Sequence, residues 1–222
     1  MKTYLLPWLV FSLLISSCAK TQDKHLNYLA LGDSYTIGES VYGVQRWPIQ
    51  LATTLSDSNR YFETTAVART GWRTDDLMLG IRQSNLPKEF DLVSLLIGVN
   101  NQFQKKSFEQ YDQEFAQLLA TAIEYARGDT GKVFVVSIPD YYYTPFGQAN
   151  GSFKISDELN AYNTFAEKTC HEWGIPFINI TPISMNGLTN PELVAEDGLH
   201  PSAEQYRLWV ELIQDELNFE LE

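Results

Sequence analysis

Four polar residues of this chain have the chemistry needed to attack a carbonyl group together. Ser34 follows a glycine and an aspartate at the end of a short apolar stretch, and Asp197 and His200 stand three residues apart near the other end of the chain. Asn100 lies between these two regions. A serine hydroxyl becomes a useful nucleophile only beside a base, and histidine suits that role because it titrates near neutral pH. A carboxylate can orient the histidine, and amide N–H groups can stabilise the charge that develops on the carbonyl oxygen.

The local spacing around these residues favours such a site. Because Asp197 precedes His200 by three residues, one tight turn can bring its carboxylate to the imidazole Nδ1. Gly32 permits a sharp exit from the strand before Ser34, since glycine has no Cβ. Taken singly, Ser34 and Asn100 could be ordinary turn residues and His200 a surface residue at the start of a helix. Their combination is what predicts an active site.

The elements that must position these residues follow from the apolar pattern. The predicted strands span 27–31, 62–68, 91–97, 133–138 and 177–180, and the predicted helices span 47–55, 74–82, 108–127, 156–173 and 202–217. Strands and helices therefore alternate along the chain. This alternation predicts one α/β domain whose parallel sheet is covered by helices on both faces.

The candidate residues fall at one edge of that sheet. Ser34 follows the first predicted strand, Gly71 the second, Asn100 the third and His200 the fifth. Open parallel sheets bind ligands beyond the carboxyl ends of their strands. The topology therefore brings all four residues to the edge where a ligand is expected.

At these positions the chain resembles the SGNH, or GDSL, hydrolase superfamily. The blocks that carry the resemblance are Gly32-Asp33-Ser34, Gly71, Gly98-Val99-Asn100 and Asp197-Gly198-Leu199-His200, in the order usual for that family. The resemblance implies a flavodoxin-like three-layer α/β/α sandwich with a parallel sheet of about five strands. It also implies a serine hydrolase that cleaves carboxylic esters through an acyl-enzyme intermediate, without a cofactor or a metal.

Carried over by position, the resemblance implies a catalytic triad and an oxyanion hole. The implied triad is Ser34, Asp197 and His200, and the implied oxyanion hole is made by the Ser34 amide, the Gly71 amide and the Asn100 side chain. Asn101 departs from the pattern, because the family commonly has an aspartate there. We expect this difference to change the bonding of the loop rather than to abolish activity.

Three functions fit the pattern to different degrees. The first is an esterase or lysophospholipase-like enzyme, and the second is an O-acetyl esterase that acts on a polysaccharide. The third, a lipoprotein that binds a ligand without catalysis, is disfavoured because the full set of catalytic groups is present. The aromatic loop 139–153 could supply an apolar wall for the acyl chain through Tyr142 and Phe146, or it could only pack onto a neighbouring helix.

Composition and missing motifs exclude other classes. A net charge of −12 without a lysine and arginine cluster argues against nucleic acid as a partner. His25 and His171 have no partners at the spacing of metal ligands, so no metal site is predicted. The G-x-S-x-G elbow of α/β-hydrolases is absent from the sequence, which argues against that fold.

The N-terminus has the pattern of an export signal. Residues 1–17 carry an early lysine and an apolar run too short to span a bilayer, which requires roughly 20 residues. Small residues before Cys18 resemble the lipobox of bacterial lipoproteins, which implies a lipidated Cys18 and a tether over 18–26, followed by the hydrolase domain at 27–222. The less favoured alternative is a plain signal peptide in which the cysteine occurs by chance. We therefore expect an exported protein anchored by lipid at the periplasmic or cell-surface face of a bacterial membrane. Cys170 is then left without a partner and is predicted to be a buried structural thiol.

Overall fold

Five strands form one parallel sheet in a computed structural model of the protein, which describes residues 24–217. The strands are β1 (Lys24–Gly32), β2 (Arg60–Ala68), β3 (Leu92–Leu96), β4 (Val133–Val136) and β5 (Phe177–Ile178). Their order across the sheet is β2-β1-β3-β4-β5, and every neighbouring pair is parallel. This order confirms the predicted flavodoxin-like α/β fold.

Helices cover both faces of the sheet. They are α1 (Ser34–Ile37), α2 (Trp47–Leu55), α3 (Thr74–Gln83), α4 (Val99–Phe103), α5 (Phe108–Tyr125), α6 (Pro145–Asn150), α7 (Lys154–Trp173), α8 (Thr181–Ser184) and α9 (Ala203–Glu216). α2 packs against α9, while α3, α5 and α7 form a second contiguous layer. All residues of β3 and β4 are buried, as expected for central strands with helices on both faces.

The sheet interior holds aromatic side chains and one buried polar pair. Tyr28 of β1 stacks on Phe134 of β4, and Trp47 of α2 packs edge-on against the same ring. The Tyr28 hydroxyl and the Ser94 Oγ lie 2.7 Å apart, so both buried polar groups are satisfied. Cys170 is fully buried, and burial raises the pKa of its thiol to about 12, which agrees with a packing role.

Some element boundaries differ from the prediction. β1 begins at Lys24, three residues before the predicted strand and inside the predicted tether, because its pairing with β2 continues to Arg60. β5 ends at Ile178, since the next residues bond to the start of α8: the Asn179 Oδ1 and the Ser137 Oγ both accept from the Thr181 N–H.

The predicted aromatic loop is more regular than the sequence indicated. It contains a 3₁₀ turn at Tyr141–Tyr143 and then α6. The Asp140 carboxylate accepts from the Tyr142 N–H at 3.0 Å, and the Thr144 hydroxyl accepts from the Gly147 N–H at 3.1 Å. Both contacts cap short helical turns.

The predicted signal peptide, Cys18 and residues 19–23 of the predicted tether lie outside the described residues. Within residues 24–217, no helix has the length and apolar character needed to cross a membrane.

Gly32 is the last residue of β1 and pairs with Leu96 of β3. A Cβ added there would lie 2.5 Å from the Leu96 carbonyl oxygen and would also meet the Thr36 side chain. We expect Gly32→Ala to lower the free energy of unfolding by roughly 1–3 kcal/mol, the usual cost of overpacking a tight site. Urea denaturation measures this change. Gly43→Ala is the matched control, since a Cβ there meets no heavy atom within 4 Å, and an equal loss in both variants would contradict the packing argument.

Candidate active site

Four of the predicted residues border a single cavity at the carboxyl edge of the sheet. Ser34, Gly71, Asn100 and His200 line this cavity, which has a volume of about 220 Å³. They come from the segments that follow β1, β2, β3 and β5. The sheet topology thus brings together side chains that are far apart in the sequence.

Ser34 is the first residue of α1 rather than part of a loop. Ser34 is largely buried. The backbone N–H of Ser34 lies in the first helical turn, where no carbonyl of the same helix is placed to accept a hydrogen bond from it. The preceding Asp33 caps the helix, because its Oδ1 accepts from the Tyr35 N–H at 3.0 Å. Burial raises the pKa of Asp33 to about 8, so this carboxyl group adds little negative charge next to Ser34 at neutral pH.

His200 is oriented by Asp197 across one tight turn. The imidazole Nδ1 and the Asp197 Oδ2 lie 2.5 Å apart, the contact that the three-residue spacing predicts. The Asp197 Oδ1 accepts from the N–H groups of Leu199 and His200, both at 2.9 Å. Gly198 has a φ of 71°, a left-handed conformation that suits glycine in this turn. Because Nδ1 is occupied, Nε2 is the ring nitrogen that remains for a neighbouring hydroxyl.

The pKa of Asp197 is held at about 2. Partial burial alone would raise the pKa, but the hydrogen bonds from Ser40, from the His200 ring and from two backbone amides outweigh it. Asp197 is therefore ionised throughout the neutral range, as an orienting carboxylate must be. On its other side the His200 ring contacts Tyr35 edge-on, with centroids 5.9 Å apart, and Tyr35 packs on Trp209.

Two side-chain amides, one from α4 and one from the residue that ends it, bond to the loop that carries Gly71. Asn100 Nδ2 donates to the Trp72 carbonyl at 3.0 Å, and Gln104 Nε2 donates to the Gly71 carbonyl at 2.9 Å. A primary amide has two N–H donors, so the bond to Trp72 orients the Asn100 group and leaves one donor for a ligand. Gly71 itself has a φ of 83°, which only glycine adopts readily.

Asn101 strengthens the same connection between the two loops. It is fully buried, its Oδ1 accepts from the Thr74 N–H at 3.0 Å, and its Nδ2 donates to the Thr74 hydroxyl at 2.7 Å. The hydroxyl of Thr74 in turn donates to Glu114. An aspartate at this position has no N–H donor, so the asparagine changes the loop bonding, the kind of effect that the sequence analysis expected.

The apolar wall of the cavity differs from the one proposed from the sequence. The structure forms it from Phe103, Tyr141 and Leu199. Neither Tyr142 nor Phe146 lines the cavity: Phe146 packs behind Phe103 at a centroid distance of 6.3 Å, and Tyr142 packs against aromatic residues of its own loop. Phe103 stands three residues after Asn100, which places both side chains on the same side of α4. Had α4 been predicted from the sequence, Phe103 could have been predicted to lie beside Asn100.

Ser40 is a site residue that the sequence analysis missed. Its hydroxyl donates to the Asp197 Oδ2 at 2.6 Å, although the two residues are 157 positions apart. Ser40 also has a φ of 65°, which is unfavourable for a residue with a Cβ. A bond between such distant residues leaves no local sequence signal, so only the structure reveals it.

Comparisons with known proteins agree with this geometry. The model of the GDSL-like lipase/acylhydrolase family matches residues 30–208, whereas no curated protein matches the sequence. A variant of Axe2, an acetyl xylan esterase from Geobacillus stearothermophilus, has a similar structure, with a TM-score of 0.69 and 16% identity, covering 90% of this chain and 98% of that one. TesA gives a TM-score of 0.66 and 16% identity, with 86% and 98% covered. A member of the lipolytic G-D-S-L family from Veillonella parvula gives 0.63 and 16%, with 85% and 96% covered.

Removal of the Ser40 hydroxyl is expected to alter the pH dependence of hydrolysis. Without this bond the pKa of Asp197 rises, and the carboxylate, which then has one donor fewer, stabilises the protonated form of His200 more strongly. Ser40→Gly is the suitable variant, because glycine adopts the left-handed backbone conformation of this position without strain. In this variant kcat/KM for p-nitrophenyl acetate should rise at a higher pH than in the parent protein. The ratio of the parent kcat/KM to the variant kcat/KM should therefore grow as the pH falls. Ser40→Asn, whose amide can donate to Asp197, should restore part of the profile, and a ratio that is constant with pH would show that Ser40 is only structural.

Proposed function

We propose that this chain, which belongs to the GDSL-like lipase/acylhydrolase family and is a carboxylic ester hydrolase, removes short acyl groups by transferring them to Ser34. The observation that carries the proposal is the convergence of Ser34, His200 and Asn100 on one small cavity, with Asp197 bound behind the imidazole. In this role Ser34 is the nucleophile, His200 is the general base and Asp197 orients the imidazole.

The reaction proceeds in two acyl-transfer steps. The Ser34 Oγ attacks the ester carbonyl carbon while His200 Nε2 takes the hydroxyl proton, and the resulting imidazolium is stabilised by Asp197. The tetrahedral intermediate then breaks the bond to the alcohol oxygen, which receives the proton from His200. In the second step His200 takes a proton from water, the hydroxide attacks the acyl-enzyme, and the acid is released as Ser34 regains its proton.

The negative charge of each tetrahedral intermediate needs N–H donors aimed at one point. We assign this role to the Ser34 N–H, the Gly71 N–H and the second N–H of the Asn100 amide. Because Asn100 is already held by the Trp72 carbonyl, it loses little freedom when the oxyanion forms. The neutral form of Asp33 is consistent with this assignment, since a second carboxylate would oppose the developing charge.

The cavity size favours a small acyl group. Its volume of about 220 Å³ lies below the roughly 300–1,000 Å³ typical of pockets for drug-sized ligands. An acetyl to butyryl group fits such a space better than a long chain, which disfavours the lysophospholipase-like alternative. The similarity to an acetyl xylan esterase supports an acetylated carbohydrate as the substrate class, and a non-catalytic ligand-binding role has no observation in its favour.

We further propose that the protein is exported and anchored through a lipidated Cys18. The support is the sequence pattern alone, a lysine and an apolar run followed by small residues and a cysteine. Several acyl chains at one residue hold a protein stably on a membrane surface, whereas a single chain does not.

Ser34→Ala should abolish ester hydrolysis while the protein stays folded. A fluorophosphonate probe, which reacts with activated serines, should label the parent protein and not the variant. Circular dichroism provides the control for folding. Labelling that persists in Ser34→Ala would place the nucleophile elsewhere.

Phe103→Ala should change the preference for acyl length. Removing the ring enlarges the cavity beside Ser34, so kcat/KM for butyryl and hexanoyl esters should rise relative to the acetyl ester, by roughly fourfold for each methylene that becomes buried. Tyr61→Ala is the control, since Tyr61 is an exposed aromatic residue on the edge strand β2. A chain-length profile that is the same in parent and variant would remove Phe103 from the acyl site.

Cys18→Ala should prevent lipid attachment and move the protein out of the membrane fraction. Mass spectrometry of the mature N-terminus measures the expected change directly. An unmodified mature N-terminus at another residue of the parent protein would contradict the lipoprotein proposal.

A further inference from the structure

A second and larger cavity opens next to the catalytic one. It has a volume of about 770 Å³ and runs between the end of α4 and the segment that joins α6 to α7. Phe103 and Tyr141 line both cavities, so the two spaces meet at these rings. An ester whose acyl group occupies the small cavity can therefore extend its alcohol part into the large one.

Lysine side chains give this cavity a positive charge. Lys105, Lys106 and Lys154 line it, and Glu158 is its one acidic side chain among the described residues. Glu158 is paired with Lys154 at 3.3 Å, while Lys105 and Lys106 form no salt bridge with another residue of the 24–217 span. The charge of Lys105 also acts on Glu158, whose pKa is lowered by the hydrogen bond from Gln102 and by the charges of Lys154 and Lys105. On a protein with a net charge of −12, three lysines against one glutamate still give this cavity a net positive charge beside the active site.

The backbone holds these two lysines in a defined turn. Lys105 has a φ of 55°, and its N–H donates to the Gln102 carbonyl at 2.9 Å. The N–H of Lys106 donates to the carbonyl of the buried Asn101 at 2.8 Å. Asn101 is itself bonded to Thr74, so the lysines are attached to α4, the anchored helix that carries Asn100.

The other walls combine aromatic rings with small polar groups. The side chains of Phe103 and Phe108 are exposed to 52% and 39%, which are high fractions for large apolar residues. Asn150 and Ser152 line the same cavity. Sugar rings match this combination, because their C–H faces pack on aromatic rings while their hydroxyls bond to amides and hydroxyls. A long acyl chain matches it poorly, since it would remove water from the ammonium groups of the exposed Lys105 and Lys106 without replacing their hydrogen bonds.

We infer that this lysine groove, lined by Lys105, Lys106, Lys154, Phe103 and Phe108, binds an acidic oligosaccharide. The substrate is then a glycan that carries carboxylates along its chain and a short acyl ester on a hydroxyl. The ester lies at Ser34 and the carboxylates lie at Lys105 and Lys106. This inference rests on the proposed function and adds the chemical class of the alcohol part.

Acetylated oligogalacturonides and their carboxyl-reduced counterparts of equal length provide the test. They differ only at C6, where each carboxylate is replaced by a hydroxymethyl group, so the ratio of their kcat/KM values, compared between parent and lysine variants, reports the contribution of the lysines. We expect the acidic substrate to be preferred by about tenfold at low ionic strength, and the preference to shrink in 0.5 M salt, where exposed charges are screened. In Lys105→Glu/Lys106→Glu the preference should disappear or reverse. Lys88→Glu is the matched control: Lys88 is an exposed lysine on the loop between α3 and β3, and this change should leave the preference as it is.

Binding gives a second readout that does not depend on turnover. Ser34→Ala protein should bind unacetylated oligogalacturonide more tightly than its reduced counterpart, and calorimetry should show this difference falling with salt. If the parent hydrolyses both acetylated substrates equally well, the inference is overturned while the proposed function stands. If the parent hydrolyses neither these substrates nor p-nitrophenyl acetate, the proposed function itself fails. A preference for anionic lysophospholipids over acidic oligosaccharides would overturn the inference in favour of a lipid.

Discussion

The parallel pairing of β1 with β3 is the constraint on which the site depends. Because both strands run in the same direction, the residues that follow them emerge at the same edge, and Gly32 allows the β1 backbone to approach the Leu96 carbonyl without a side chain between them. Ser34 and Asn100 follow within a few residues of these strand ends, so the close approach of the strands decides the distance between the Ser34 hydroxyl and the Asn100 amide. The outer strands then add Gly71 on one side and the turn that carries His200 on the other.

Hydrogen bonds between loops provide the rigidity that the chemistry requires. Asn100, Asn101 and Gln104 each bond to the loop that follows β2, and Asp197 accepts bonds from its own turn and from Ser40 after α1. A catalytic group that is held before substrate arrives does not have to be ordered during the reaction, which is how preorganised polar groups lower a barrier. The left-handed backbone at Ser40 is consistent with this, since an unfavourable conformation persists only where its surroundings require it.

The charged groups around the active site differ in ionisation and in position. Asp197, which is bonded to His200, is ionised, whereas Asp33, which precedes Ser34, is largely neutral. The difference arises because Asp197 accepts several hydrogen bonds and Asp33 is fully buried with few. The lysine groove adds a positive surface on the side where the alcohol part of an ester would leave. A small, mostly apolar acyl cavity beside a large, polar and basic groove is the division expected when the acyl group is short and the alcohol carries the distinguishing features.

The sequence by itself determined the fold class, and it identified the residues that the structure brings together at one cavity. Alternating apolar strands and amphipathic helices are local patterns, and the blocks around Ser34, Asn100 and His200 are short enough to be recognised without coordinates. α2 was predicted with its observed bounds, whereas α1 and α4 were not predicted, because helices of four or five residues are too short to show a period. The tertiary structure alone decided the position of Phe103 and Tyr141 on the small cavity, the bond from Ser40 to Asp197 and the lysine groove. Each of these depends on residues brought together across the sheet edge by packing, and contacts between distant segments leave no periodicity or spacing in the sequence from which they could be predicted.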